Sequence, residues 1–317
     1  MNNICYSLKE YKFNDPIFNN VDATYIIHLE GNGRLNNIKE QLKYYHPSKI
    51  VYIIFNKGFK KCNKDKYINI PSLDLIDAFF QCFKDANNKN YENILVLEDD
   101  FIFDKKILDK NNSNKIDDFL YEMSETKQIY IYYIGAITYL QSAFGQYHNK
   151  LYLSVGTHSC IYPKIFIKHL LNNYRKDKIN DWDFYLNLNY IRYKYYKSLC
   201  YQTLPQTKNS KYWDQGNIFL KYIFKLFRYY QLTINLNNKP QPGFDIMEIS
   251  SKIIFWFIII SLIIIILLIY NYWLKCKKKK NNIKYLFYLI IFFLLLYPIV
   301  IINILLLTIY ITSIFYN

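Results

Sequence analysis

Ile94-Leu95-Val96-Leu97-Glu98-Asp99-Asp100 is an apolar, strand-like run that ends in three acids. Four consecutive residues of this kind suit a strand buried on both faces, as in the middle of a parallel sheet. Carboxylates at its carboxyl end fall in the crevice where open α/β sheets place their ligands. Buried carboxylates are costly alone, so three together call for a cation, a basic partner or solvent. A divalent metal holding a phosphorylated substrate meets that need, and oxygen donors suit Mg²⁺ or Mn²⁺. In extended backbone, side chains i and i+2 point the same way, which pairs Glu98 with Asp100 and turns Asp99 to the other side. The alternative is structural: acids after a strand also serve as helix caps or solvated loop charges.

Outward from this run, strand and helix patterns alternate. Thr24 to Leu29 and Ile50 to Phe55 read as strands, and Ile129 to Ile134 as a further one. Arg34 to Tyr45 reads as a two-faced helix. Across Asp74 to Asn87, Ile76, Phe79, Phe80 and Phe83 form the i, i+3, i+4, i+7 stripe of a helix packed on a sheet. Later, Leu151 to Val155 reads as a strand, Pro163 to Asn173 as a helix with proline at its start, and Asp181 to Tyr190 as another helix. The alternation predicts an α/β fold with a mostly parallel central sheet covered by helices.

The carboxyl-terminal third differs in kind. Ile253 to Leu274 and Leu286 to Leu307 each have the length and composition of a membrane-spanning helix, and neither contains an acid or base. Ahead of them, residues 218–232 place Phe219, Ile223, Phe227 and Tyr230 on one helical face and Lys221, Lys225 and Arg228 on another. That pattern fits a helix on an anionic leaflet or an ordinary surface helix. The segment Lys208 to Gln215 reads as loop, and Pro240-Gln241-Pro242-Gly243 as a linker. The expected organisation is an extension over residues 1–20 and a catalytic domain over 21–210. An amphipathic helix and linker follow over 211–252, then two membrane helices over 253–274 and 286–307, separated by a basic loop, 275–285.

The net charge of +15 suggests anionic partners. The chain is also rich in Lys, Asn, Ile and Tyr, with only eight Gly and eight Pro, the signature of AT-rich codons in a microbial or viral genome. Basicity of that origin needs no nucleic-acid partner, and none is expected. Cys5, Cys62, Cys82, Cys160, Cys200 and Cys276 are scattered without a Cys-x-x-Cys pair or zinc-like spacing, which reads as reduced thiols. Residues 1–16 show no apolar core of a signal peptide. Together these favour a cytosolic catalytic domain. The lysine run 277–280 pulls the other way: a cytosolic loop between two spans places the domain on the opposite side. A hairpin that dips into the membrane reconciles the two, and the side stays open.

Several blocks share an order with a known family. Tyr25-Ile26-Ile27-His28-Leu29 leads through a turn, Glu30-Gly31-Asn32-Gly33-Arg34, into the helical Leu35 to Leu42. The acid-ended strand follows, then Gly156-Thr157-His158-Ser159, Asp181-Trp182-Asp183 and Cys200-Tyr201-Gln202. In this order, from about residue 23 to 205, they resemble family 25 glycosyltransferases, the lipopolysaccharide and procollagen galactosyltransferase type. The resemblance implies a GT-A-like nucleotide-sugar fold and Mn²⁺-dependent, inverting transfer from a UDP-sugar. Carried onto this chain, it makes Glu98 and Asp100 the metal-binding acids, with Asp99 beside the nucleotide-sugar. Arg34 reaches the nucleotide or its phosphates, which its fixed fork of donors suits. His158 is a third metal ligand or a diphosphate contact, or simply satisfies local hydrogen bonds. Inversion needs a base for the acceptor hydroxyl, with Asp183 and Asp181 the candidates unless one caps the following helix. The family's Asn-Leu-Asp-Arg opening is replaced here by His28 to Gly33.

The expected protein is therefore a membrane-anchored enzyme moving a hexose from a UDP-sugar to a hydroxyl of a glycan, lipid-linked glycan or protein. Two rivals use the same residues. One is a membrane-tethered scaffold of the same fold without turnover; the other is a metal-dependent phosphoryl-transfer enzyme or nuclease, which needs further acids for a second metal.

Overall fold

The computed structural model describes residues 5–173, 178–202 and 242–279. Its centre is a nine-stranded sheet. Strands β1 (Tyr6–Lys12), β2 (Ala23–Leu29), β3 (Ile50–Asn56) and β4 (Asn93–Glu98) form one half, in the order β1-β3-β2-β4. Strands β6 (Tyr130–Tyr133), β7 (Ile137–Phe144), β8 (His148–Val155), β9 (Ser159–Pro163) and β10 (Ile191–Tyr195) continue it as β9-β6-β10-β8-β7. A two-stranded ribbon pairs β5 (Phe101–Phe103) with β11 (Cys200–Gln202).

The sheet is mixed rather than mostly parallel. β3–β2–β4 and β6–β10 pair in parallel, whereas β1, β9, β8 and β7 join antiparallel to their neighbours. The parallel part follows from helical crossovers: α1 (Leu35–Tyr44) links β2 to β3, and α2 (Pro71–Asn88) links β3 to β4. The antiparallel part follows from short connections, such as the turn between β7 and β8. Residues 1–20, expected as an extension, supply the edge strand β1. Its burial alternates with solvent exposure, so it lacks the continuous apolar run that marks β2 and β4.

Alternation along each strand feeds two cores, one on either side of the sheet. In β4, Ile94 and Val96 pack with Phe79, Phe83 and Trp182 under α2, α4 (Lys164–Asn173) and α5 (Trp182–Asn189). Leu95 and Leu97 face the opposite core with Ile38, Ile116 and Phe119, under α1 and α3 (Lys110–Ser124). Pro163, expected to open α4, is instead the last residue of β9.

The scattered thiols are not all reduced. Cys5 and Cys62 are joined in a disulfide that ties the start of the chain to the loop after β3, and Cys82, Cys160 and Cys200 are free and buried. A structural disulfide belongs to an oxidising compartment, so this pair removes the thiol argument for a cytosolic domain.

The long helix α6 (Pro242–Lys279) begins within the expected linker. Over Glu248–Asn271 it is long and apolar enough to cross a membrane. The second candidate span, 286–307, lies outside the described residues, as do the amphipathic segment 218–232, the loop 208–215 and most of the basic loop 275–285. The head of α6 is docked on the domain. Lys194, fully buried on β10, pairs with Glu248 at 3.1 Å, and the Gln141 side chain donates to the Glu248 carbonyl and to Ser251 Oγ. Tyr152 of β8 stacks on Phe255 at 5.4 Å between centroids.

Candidate active site

β4 ends at Glu98, and the three acids follow the carboxyl edge of the parallel β3–β2–β4 unit. β9 runs the other way, so its preceding residues, Gly156 to His158, return to the same edge: the Glu98 amide donates to the His158 carbonyl at 3.1 Å. The amino end of α5 and the ribbon strand β11 also arrive there. Close approach of that ribbon depends on Gly135, where a Cβ would lie 1.8 Å from the Cys200 carbonyl oxygen.

The acids divide into two environments. Asp99 turns toward the β2–α1 turn, where its Oδ2 accepts from His28 Nδ1 (3.0 Å), the Leu29 amide (3.1 Å) and Asn32 Nδ2 (2.5 Å), and its Oδ1 from Arg34 Nη1 (2.7 Å). Burial pushes this carboxyl up, but the His28 hydrogen bond, the Arg34 charge and the Asn32 amide outweigh it and hold it below the usual carboxylate range. Both oxygens are thereby engaged. Asp99 holds the turn and the Arg34 guanidinium in place.

Glu98, Asp100 and Asp183 make up the second environment. Burial, then the charges of Asp100 and Asp183, push Glu98 well above the usual range, and Thr157 Oγ1 donates to its Oε1 at 3.1 Å. Asp100 is pushed up to about 6 by burial, with Arg34 opposing and Asp99 adding; Gln202 Nε2 reaches its two oxygens at 3.3 and 3.2 Å. Asp183 is pushed up to about 7 by burial and by Asp181, and accepts from the Gly156 amide at 3.0 Å. Arg34 Nη1 lies 3.5 Å from Asp100 Oδ2, so one guanidinium joins the two environments.

Asp181 and His158 take structural places. Asp181 is exposed and caps α5, accepting from the Phe184 amide at 2.8 Å. His158 is fully buried: its Nε2–H donates to the Cys200 carbonyl at 3.3 Å, and its Nδ1 faces Gly156. Burial lowers its pKa to about 4, so the ring is neutral. The bond to the Cys200 carbonyl is the local hydrogen bonding that stood among the roles expected of His158. Thr157, Gly156 and Gln202 stand inside the quoted blocks, where the sequence alone points to no role for them.

The donor set fits a divalent cation. Burial raises the proton affinity of both Glu98 and Asp100, and the Asp100 charge raises that of Glu98 further, which is what a cation beside them relieves. Among the described residues no group of three or more His, Cys, Asp and Glu side chains is placed to hold a metal. Any such ion would then draw its remaining ligands from water and substrate, the usual habit of Mg²⁺ with phosphates.

No protein-family model matches this chain, and no curated protein matches it in sequence. Among solved structures, A197 from STIV is similar over 57% of this chain and 84% of its own, at 13% identity and a TM-score of 0.32. A glycosyltransferase involved in the glycosylation of the major capsid of PBCV-1 is similar over 54% of this chain and 76% of its own, at 11% identity and a TM-score of 0.29. At these scores the likeness carries no argument about function.

Proposed function

We propose that this chain is a membrane-anchored glycosyltransferase that moves a hexose from a UDP-sugar to a hydroxyl group. The observation that carries the reading is the convergence of Glu98, Asp100 and Asp183, three carboxylates with raised proton affinity, at the carboxyl edge of β4 beside Arg34. Glu98 and Asp100 would hold Mn²⁺ or Mg²⁺, which when bound supplies positive charge against the leaving diphosphate. Arg34, aimed by Asp99, offers its remaining N–H groups to the same phosphates. Asp183, at about 7, is matched to the task of a general base near neutral pH. The acceptor oxygen bonds to the anomeric carbon as the bond from that carbon to the diphosphate breaks, and Asp183 takes the hydroxyl proton. Asp181 is spent on its cap, which leaves Asp183 the base. The family 25 resemblance of the sequence blocks supports this donor class and an inverting outcome. α6 would anchor the enzyme.

The test is a screen of UDP-sugars with the full chain in detergent and Mn²⁺, reading released UDP. Turnover with at least one donor that is lost in Glu98→Ala and Asp100→Ala supports the proposal. Full turnover in both variants refutes the assignment of the acids.

A further inference from the structure

α5 carries an inversion of ordinary surface logic. Trp182 and Leu186 face the core, and Asp183 and Asn187 face the site and β8, with Asn187 Nδ2 donating to the Ser154 carbonyl at 2.7 Å. The outward stripe, where charge is normal, holds Phe184 and Leu188, one turn apart and 64% and 69% exposed. Apolar side chains grouped this way mark an interaction surface.

The fold says what covers it. Arg192 and Lys194 stand two apart on β10 and so point to one face of the sheet. Arg192 donates to Ser154 Oγ and the Tyr152 carbonyl, beside α5, while Lys194 pairs with Glu248 of α6. α5 and the head of α6 therefore cover the same face. On α6, Trp256 is exposed near one end of the apolar stretch and Tyr270 and Trp273 near the other. At 1.5 Å per residue the two tryptophans stand about 26 Å apart, close to the ~30 Å of a bilayer's hydrocarbon layer with an aromatic belt at each edge. Tyr152, stacked on Phe255, sits level with the nearer belt.

We propose that the α5–β8 face rests in the interfacial layer of the bilayer that α6 spans, with Phe184 and Leu188 dipping among the lipid headgroups. Asp183 neighbours Phe184 in sequence, so the site opens at the lipid surface, where a lipid-linked acceptor is presented. The occupant is a phospholipid surface because the apolar stripe shares its sheet face with the membrane helix. The proposal rests on the membrane anchoring in the reading above and not on its chemistry.

The test reconstitutes the full chain, in a C276S background that leaves the buried thiols, into phosphatidylcholine–phosphatidylglycerol vesicles. A nitroxide is attached at L188C or, as a control, at Y121C; Tyr121 is exposed on α3, across the sheet. Collision with oxygen, which partitions into lipid, is compared with collision with a water-soluble nickel chelate. The expected result is an oxygen-to-nickel ratio several-fold higher at position 188 than at 121. Equal ratios overturn the proposal, and shielding of position 188 from both reagents overturns it in favour of a protein partner. A chain that fails to float with the vesicles overturns it together with the anchor. None of these outcomes requires turnover, so the glycosyl-transfer chemistry stands or falls separately.

Discussion

Removing the Asp100 charge should make the cation-free protein more stable. Asp100 is buried, and its carboxyl is pushed from 3.8 to about 6. At ~1.4 kcal/mol per pKa unit, that displacement is a native-state penalty of ~3 kcal/mol once the group is ionised in both states. The sign follows from proton binding. Below pH 4 both states hold the proton and the penalty is nil; it grows as the unfolded chain ionises first, and it is complete above pH 6. Asp100→Asn keeps the shape and an oxygen for the Gln202 amide but carries no charge. At pH 7.5 without divalent metal, the variant should unfold about 6–12 °C higher than wild type, using 2–4 °C per kcal/mol for a domain of this size. The gain should fade as the pH is lowered from 6 to 4. Comparing the two proteins at each pH cancels the half-buried His148 and the buried His158, both lowered to about 4, which oppose the trend on acidification. Adding Mn²⁺ at pH 7.5 should raise the wild-type midpoint and leave the variant unmoved, since only a native site binds it. The assay is thermal unfolding of the full chain in detergent, followed by intrinsic tryptophan fluorescence. A variant less stable than wild type at pH 7.5 without metal, or a wild type indifferent to saturating Mn²⁺, refutes the reasoning.

Further outcomes are expected elsewhere. Asp181→Ala should cost about 1 kcal/mol by loss of the α5 cap while retaining turnover, whereas Asp183→Asn should abolish turnover with the fold intact; unfolding curves and UDP release separate the two. Lys194→Met, which takes from the buried Glu248 its closer cation and leaves Lys252 at 4.0 Å, should destabilise by about 2–4 kcal/mol, and adding Glu248→Leu should recover much of that in a double-mutant cycle. Peptide mapping without reductant should recover Cys5 joined to Cys62, and Cys5→Ser should lower stability by about 2–4 kcal/mol.

How much could be read in advance depended on where a residue's environment comes from. β2, β3, β4 and α2 announce themselves because neighbours in sequence supply both the pattern and the burial, as in the four apolar residues before Glu98. α5 was legible for a related reason: Asp181 caps its own helix three residues on. Long-range environments were not legible. Nothing local in the sequence marks Arg192 and Lys194 as buried, yet both are buried on β10, bonded to Ser154, the Tyr152 carbonyl and Glu248 from elsewhere in the chain. α3 is so rich in Lys, Asn and Asp that its apolar stripe, Ile116, Phe119, Leu120 and Met123, was passed over. The disulfide joins residues 57 positions apart, a pairing no spacing rule supplies. At the site, the acids were plain in the sequence, but the separate engagement of Asp99 required the fold, because its donors lie on the β2–α1 turn some 65 to 71 positions earlier.

The ion pair and amide contacts at the head of α6 tie that helix to β7 and β10. On the proposed reading, an enzyme tied this way to its anchor would work at one altitude, unable to stoop toward a deeper substrate or stretch toward a distant one. Its encounters would become a sideways search within the leaflet, governed by lateral diffusion of the acceptor and by how far above the lipid that acceptor's hydroxyl is carried.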